Sequence, residues 1–538
     1  MTGRSAHVDR FAADNLPPMD QWPDFIFELP ELRYPAQLNC AQSLIDGHIA
    51  AGRGERAAIV DAAGTRTYAQ LSDDANRIAG VLRNDLGLAP GARVLIRGFN
   101  NAVFAASWLG VVKAGCIAVS TMPLLRSKEL TEVIEKAQVG AAICDRRLAE
   151  EFDRAARACP TMQRVVYSHD DGTDGLAARM RRQTGAPLTI DTAADDVCMI
   201  AFTSGTTGKP KGTMHFHRDV LAICDTFSAK LTKPSADDVF MGSPPLAFTF
   251  GLGGVLLFPL HAGASVVMLE KPTPDAMLEA VARHRVTTCY TAPTAYRAMT
   301  PLVAGHDVSS LHTCVSAGEM LPIATRAAWR EKTGIDIIDG IGSTEMLHIF
   351  IAAAGDDIRP GATGKPVPGY KACVLDDDGK PAPNGTVGRL AVKGPTGCRY
   401  LSDDRQRQYV SGGWNLTGDS YIEDADGYFY YQARSDDMII SAGYNIAGPE
   451  VESALLTHAD VLECAVVGMP DEDRGMIVKA FVVLRDGVAG DDALAKRLQD
   501  HVKAEIAPYK YPRSIAFLPA LPRTETGKLQ RFKLRQGT

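Results

Sequence analysis

The feature that most limits the fold is an alternation of short apolar runs with amphipathic stretches between residues 93 and 144. Runs at 93–96, 116–120 and 139–144 are separated by helical spacing at 100–114 and by a helix opened by Ser127. Strands joined through helical crossovers lie parallel and need cover on both faces, so this stretch predicts a doubly wound α/β layer. Upstream, after an irregular N-terminal arm, Thr67 with Gln70 forms a capping-box pattern. Leu71, Ala75, Ile78, Leu82 and Leu86 then predict a helix over 68–86. A second series of the same kind is expected from Asp196: a strand at 197–202, a helix at 220–231, a strand at 286–290, a helix at 322–332 and a strand at 335–339.

From Gly361 the texture changes to short strands with Gly/Asp/Pro turns, which predicts a β-rich subdomain ending near Arg434. Beyond it the pattern gives a helix at 449–456, strands at 461–467 and 477–484, and a helix at 492–506. In that last helix Leu494, Leu498, Val502 and Ile506 form one apolar stripe. The reading is α/β: an N-terminal domain over 1–434, made of two doubly wound subdomains and the β-rich one, and a small α+β C-terminal domain over 435–538.

Composition removes several function classes. With 46% apolar and 22% charged residues, the chain is neither disordered nor fibrous. Its longest apolar stretch, 251–260 with a continuation to 269, is broken by Pro259 and His261 and falls short of the ~18 to 20 residues of a spanning helix. No secretory pattern opens the sequence, so a cytoplasmic location without membrane association is expected. Eleven Cys without a CxxC pair are expected to be reduced, mostly buried thiols. His215 and His217 form the one suggestive His pair, and without a third ligand nearby they are expected in a loop; no transition metal is implied. A balance of 57 basic against 64 acidic side chains argues against nucleic acid as a partner.

The strongest local signal is Thr203-Ser204-Gly205-Thr206-Thr207-Gly208-Lys209-Pro210-Lys211-Gly212, placed between a predicted strand and a predicted helix. Three glycines let backbone N–H groups approach an anion, four hydroxyls add donors and two lysines add charge, so the composition suits a triphosphate. It is not a Walker A loop, which needs Gly where Thr203 stands and Ser or Thr where Pro210 stands.

With this loop, six further segments occur in order: Ser316-Ala317-Gly318-Glu319, Gly342-Ser343-Thr344-Glu345, Thr417-Gly418-Asp419, Arg434-Ser435-Asp436-Asp437, Gly443-Tyr444-Asn445-Ile446 and Pro522 to Lys528. The set resembles the acyl-adenylate-forming superfamily of acyl-CoA synthetases, nonribosomal adenylation domains and firefly luciferase. The resemblance covers essentially the whole chain. It implies ATP, Mg²⁺ and coenzyme A as reactants or cofactors. Thr203, Ser204, Gly205, Thr206, Thr207, Gly208, Lys209 and Thr344 would hold phosphates, and Glu345 would hold Mg²⁺. Gly318 and Glu319 would lie on one side of adenine, with Asp339, Gly340 and Ile341 on the other, and Asp419 and Arg434 would bind ribose. An aromatic residue is usual where Ile341 stands, so aliphatic packing replaces ring stacking. Lys528 would bridge the substrate carboxylate and the α-phosphate as charge builds. Asp436 matches the hinge of a mobile C-terminal domain, and Ser441, Ala442, Gly443 and Tyr444 the wall of the pantetheine tunnel.

For the acyl pocket the resemblance points to Phe248, Phe250, Gly251, Ile341 and His348, a compact and partly aromatic set. No acid stands between Ser243 and Pro259, where amino-acid-activating relatives place an Asp, and Phe248 replaces a common His. The run 340–350 resembles benzoate-CoA ligases, and the arm around Asn15 to Pro23 and Leu38 to Ala41 looks most like 2-aminobenzoate-CoA ligases. The expectation is an AMP-forming ligase joining a small aromatic carboxylic acid to CoA, with a homodimer left open. Two alternatives stand beside it: an enzyme loading the aryl acid onto a carrier protein, and a catalytically silent acyl or nucleotide sensor. The joint presence of Lys528, Glu345 and Asp419 disfavours the sensor.

Overall fold

The computed structural model describes residues 3–203, 210–434, 437–441, 444–471, 475–506, 508–523 and 529–536. The first alternation folds as expected. Strands Arg93–Arg97, Ile117–Thr121 and Ala141–Asp145 run parallel, and helices Ala102–Lys113 and Ser127–Ala137 supply the crossovers. The capping box of Thr67 and Gln70 opens helix Tyr68–Gly80, whose Leu71, Ala75 and Ile78 are fully buried. A π-helical turn, Val81–Asp85, continues it.

Two expectations are corrected. Strand Val197–Thr203 does not open the second series; it closes the first sheet, pairing parallel with Ile117–Thr121, and strand Lys211–Phe216 lies antiparallel against it at the sheet's edge. The phosphate-loop sequence therefore lies between two paired antiparallel strands, not between a strand and a helix. The strand was hidden because Lys-Gly-Thr-Met-His-Phe has no apolar run, although every residue from Gly212 to Phe216 is buried. The N-terminal arm is not irregular throughout either. It contributes helix Cys40–Ala50 and strands Ala57–Asp61 and Gly64–Thr67, which complete the far edge of the second sheet beside Ser265–Val267.

That second sheet has nine strands, parallel through its centre, with Thr313–Ala317 between Thr288–Thr291 and Ile337–Gly342. A five-stranded antiparallel sheet follows, where Trp414–Glu423 pairs with Phe429–Arg434. The C-terminal part has its own core. Strands Val461–Asp471, Gly475–Leu484 and Ser514–Phe517 pack on helices Gly448–Leu456 and Asp492–Glu505 through Leu494, Leu498, Val502, Val451 and Leu455. Among the described residues no helix is long and apolar enough to cross a membrane.

Candidate active site

The hairpin of strands Val197–Thr203 and Lys211–Phe216 closes at the pair Thr203 and Lys211. Thr203 Oγ1 is buried and has no hydrogen-bond partner among the described residues. Ser204, Gly205, Thr206, Thr207, Gly208 and Lys209 lie outside the described residues. Lys211 Nζ stands 2.8 Å from the Tyr400 hydroxyl and 3.5 Å from Glu345 Oε1. Tyr400 donates its hydroxyl to the same Glu345 oxygen, and burial, followed by the Glu345 charge, holds its phenol well above the usual range. Glu345, expected as a metal ligand, is thus gripped from two sides at 6% exposure.

The turn carrying Glu345 is fastened at its backbone. His215 Nε2 lies 2.8 Å from the Thr344 carbonyl oxygen, so that ring nitrogen carries the proton and donates. His215 is buried in strand Lys211–Phe216, not placed in a loop as expected, and its Nδ1 faces Asp219 Oδ2 at 3.8 Å. Asp219 in turn pairs with Arg399, both fully buried, and the Arg399 guanidinium stacks 3.9 Å from the Phe216 ring centre. Three residues past Thr344, Leu347 is held at φ 68° while fully buried. That left-handed backbone is costly for a branched side chain and is sustained by its surroundings.

Around the expected adenine position, Ser316 pairs with Asp339 and Ala317 with Gly340 across neighbouring parallel strands. Gly318 turns out of its strand at φ 89°. Burial pushes the Asp339 carboxyl up to about 7, against the pull of Arg326, and its Oδ1 has no partner among the described residues. Asp419 and Arg434, the expected ribose contacts, face each other in strand register with Nη1 to Oδ1 at 3.3 Å. Glu319 pairs with Arg523 of the C-terminal part at 3.6 Å, and Arg523 also pairs with Glu463, which Arg297 meets at 3.0 Å. Arg523 also forms an antiparallel bridge with Leu529. Lys528 itself, the expected hinge residue Asp436, and Ala442 and Gly443 of the expected tunnel loop lie outside the described residues. Ser441 is buried, and the Tyr444 backbone pairs with it.

The acyl-pocket candidates converge only in part. His348, 2% exposed, sits among aromatic rings, with centroids of Phe258 at 4.6 Å, Phe227 at 5.2 Å and Phe250 at 5.6 Å. Phe250 also packs 5.9 Å from Tyr290. Gly253 makes this possible: a Cβ there would come within 2.4 Å of His348 Cδ2. Burial pushes the His348 imidazole down to about 3, against a smaller opposing pull from the Phe250 backbone. Both His348 ring nitrogens and the Tyr290 hydroxyl lack hydrogen-bond partners among the described residues. Ile341 packs on the same core, and Gly251 is buried where a side chain would strike the Pro245 carbonyl. Phe248 stands half-buried at the start of helix Thr249–Leu252.

Several of these residues were not found by sequence reasoning. Lys211 was read only as loop charge, and Tyr400 and Tyr290 had no local signal beyond being aromatic. Phe227 falls in the helix expected at 220–231 and Phe258 in the longest apolar stretch, and neither was singled out.

The profile of the AMP-binding enzyme family matches residues 48–400, and that of the AMP-binding enzyme C-terminal domain matches 450–528. The chain belongs to the AMP-binding enzyme family and is an AMP-forming acid–thiol ligase. It is 38% identical to the benzoate–CoA ligase of Thauera aromatica over 94% of this chain and 97% of that protein. Among solved structures, the anthranilate CoA ligase AuaEII in complex with anthranoyl-AMP superposes with a TM-score of 0.90 at 35% identity, covering 94% of this chain and 98% of the other. A benzoate CoA ligase from Burkholderia xenovorans LB400 gives 0.85 at 33% identity, covering 93% and 100%.

Proposed function

We propose that this ligase activates a small aromatic carboxylic acid, 2-aminobenzoate or benzoate, and passes the acyl group to CoA in the cytoplasm. The carboxylate attacks the α-phosphate of ATP and pyrophosphate leaves; the CoA thiol then displaces AMP from the mixed anhydride. The observation that carries the substrate reading is the aromatic enclosure of Phe227, Phe250 and Phe258 around an uncharged His348 whose nitrogens have no described partner, with Tyr290 packed against Phe250 and Phe258. A flat ring suits such walls, and an ortho-amino group would give a ring nitrogen its missing partner. Similarity to benzoate and anthranilate ligases supports the same class. Eleven unpaired cysteines, ten of them buried, suit a reducing compartment.

In this reading Thr203 to Lys209 and Thr344 hold phosphates, Asp419 and Arg434 hold ribose, and Gly318, Glu319, Asp339, Gly340 and Ile341 enclose adenine. Glu345 fits magnesium: its carboxylate is a hard oxygen donor oriented by Tyr400 and Lys211 at the mouth of the anion hairpin. Bound there with the triphosphate, the ion would neutralise phosphate charge. Lys528 serves the first half-reaction, and rotation about Asp436 between a 1–434 and a 435–538 domain presents the Ser441 to Tyr444 loop for the second. A panel of benzoate, 2-aminobenzoate, hydroxybenzoates and octanoate, scored by pyrophosphate release with and without CoA, tests the reading. Preference for octanoate rejects the aryl assignment. Turnover only with a phosphopantetheinyl protein rejects CoA as acceptor.

A further inference from the structure

Cys40, Cys198 and His217 come from three separate stretches and meet in the core. Cys40 opens helix Cys40–Ala50, Cys198 lies in strand Val197–Thr203, and His217 opens helix His217–Ile223. Their donor atoms all lie within 4.8 Å of one another, with Cys40 Sγ 3.3 Å from His217 Nδ1. None of the three residues is more than 1% exposed. The Cys40 backbone N–H donates to His217 Nδ1 across 3.2 Å, which fixes that nitrogen as the unprotonated one; a bound ion would take this lone pair in place of the N–H. No local pattern marks this site, because Cys40 and His217 stand 177 residues apart.

The geometry points to a binding site for one thiophilic d¹⁰ metal ion, of the zinc(II) or copper(I) class, held by Cys40 Sγ, Cys198 Sγ and His217 Nδ1. Two thiolates and an imidazole are soft donors that select such ions over magnesium or calcium. Metal–sulfur bonds of ~2.3 Å and metal–nitrogen bonds of ~2.0 Å place sulfurs ~3.8 Å apart and sulfur and nitrogen ~3.6 Å apart, so side-chain shifts of about an ångström or less complete the site. On binding, each thiol gives up its proton to solvent, and the two thiolates cancel the charge of a divalent ion inside a dry core. Full burial favours an ion taken up before the chain closes and disfavours a disulfide sensor, since oxidant-sensing thiols are accessible. The ion would tie helix Cys40–Ala50 to the foot of the hairpin whose tip, at Thr203 and Lys211, carries the anion loop.

The test uses the full chain, expressed without a polyhistidine tag and refolded from denaturant after chelation with zinc(II) alone or copper(I) alone. About one ion retained per chain, with a raised melting temperature, is the expected result, and the better-retained ion names the metal. Cys198→Ala and His217→Gln should each lose stoichiometric retention; they remove one donor each, so a folding failure in one leaves the other readable. Substoichiometric retention of both ions by the wild type overturns the site. So does undiminished retention in both variants, or a mass low by two hydrogens showing a Cys40–Cys198 disulfide.

Discussion

His215 on the anion hairpin donates its Nε2 proton to the backbone of Thr344, the residue before Glu345, across 2.8 Å. The element expected to hold phosphate and the turn expected to hold magnesium are therefore one mechanical unit. Removing the donor takes from the Thr344 carbonyl one of its two hydrogen bonds, the other coming from the Leu347 N–H at 3.2 Å, a loss of about 0.5 to 1.5 kcal/mol, or roughly two- to tenfold. His215→Ala should lower kcat/KM for Mg-ATP by that factor while leaving the choice between aryl acids unchanged. Gln, which can still donate, should recover part of the loss; if His215→Ala behaves as wild type at all magnesium concentrations, the grip has no catalytic consequence.

For substrate reading, the ratio of kcat/KM for 2-aminobenzoate over benzoate is the informative quantity. His348→Ala should reduce it roughly ten- to a hundredfold if the imidazole accepts from the amine. An unchanged ratio removes His348 from that role.

His348 also sets a stability slope. Its imidazole is depressed to about 3 in the fold against 6.5 for the free side chain, so below that ordinary value the unfolded chain takes up a proton that the folded chain refuses. Stability contributed by the neutral ring is complete above 6.5 and is lost as pH falls toward 3. His348→Asn should flatten the fall in melting temperature over this window by about one proton, or roughly 1.4 kcal/mol per pH unit, and an unaltered slope would place the ring in contact with water.

Asp339 has the opposite sign. Its carboxyl is raised to about 7 from 3.8, so the folded chain holds a proton that the unfolded chain releases, and stability declines as pH climbs between those values. Asp339→Asn should remove that decline. If the carboxylate also meets adenine, KM for ATP should change between about pH 6 and about pH 8 in wild type and not in the Asn variant.

Lys528→Ala should abolish adenylate formation yet leave CoA attack on supplied acyl-AMP largely intact, because the lysine serves one half-reaction. Equal loss in both would count against the two-arrangement cycle. Asp436→Pro restricts φ and removes an N–H, so it should impair one half-reaction preferentially, measured with the same two assays.

Much of this was legible in the chain. Parallel strands announced themselves through crossovers at 100–114 and 127 onward, and the glycine-rich segments kept their order whatever lay between. Local punctuation reveals such features. What stayed hidden depends on long-range closure. Strand Lys211–Phe216 is buried by neighbours and not by its own composition, and Ala57–Asp61 finds its partner Ser265–Val267 some two hundred residues later. Likewise, of the rings around His348, Phe250 was marked by the family pattern, but Phe227 lies in the helix expected at 220–231 and Phe258 in an apolar stretch, with nothing local to point either at His348.

The chain of charges Arg297, Glu463, Arg523 and Glu319 joins the small C-terminal part to the large one. Each member is partly open to water, and such pairs are worth about 0 to 1 kcal/mol apiece, less as salt rises. A clasp this weak can be undone within a single turnover. Glu319 is at once a wall of the proposed nucleotide site and an anchor for the incoming domain, so whichever arrives first alters the terms for the other. Occupancy of the adenine pocket and the posture of the C-terminal part are then thermodynamically linked through one carboxylate.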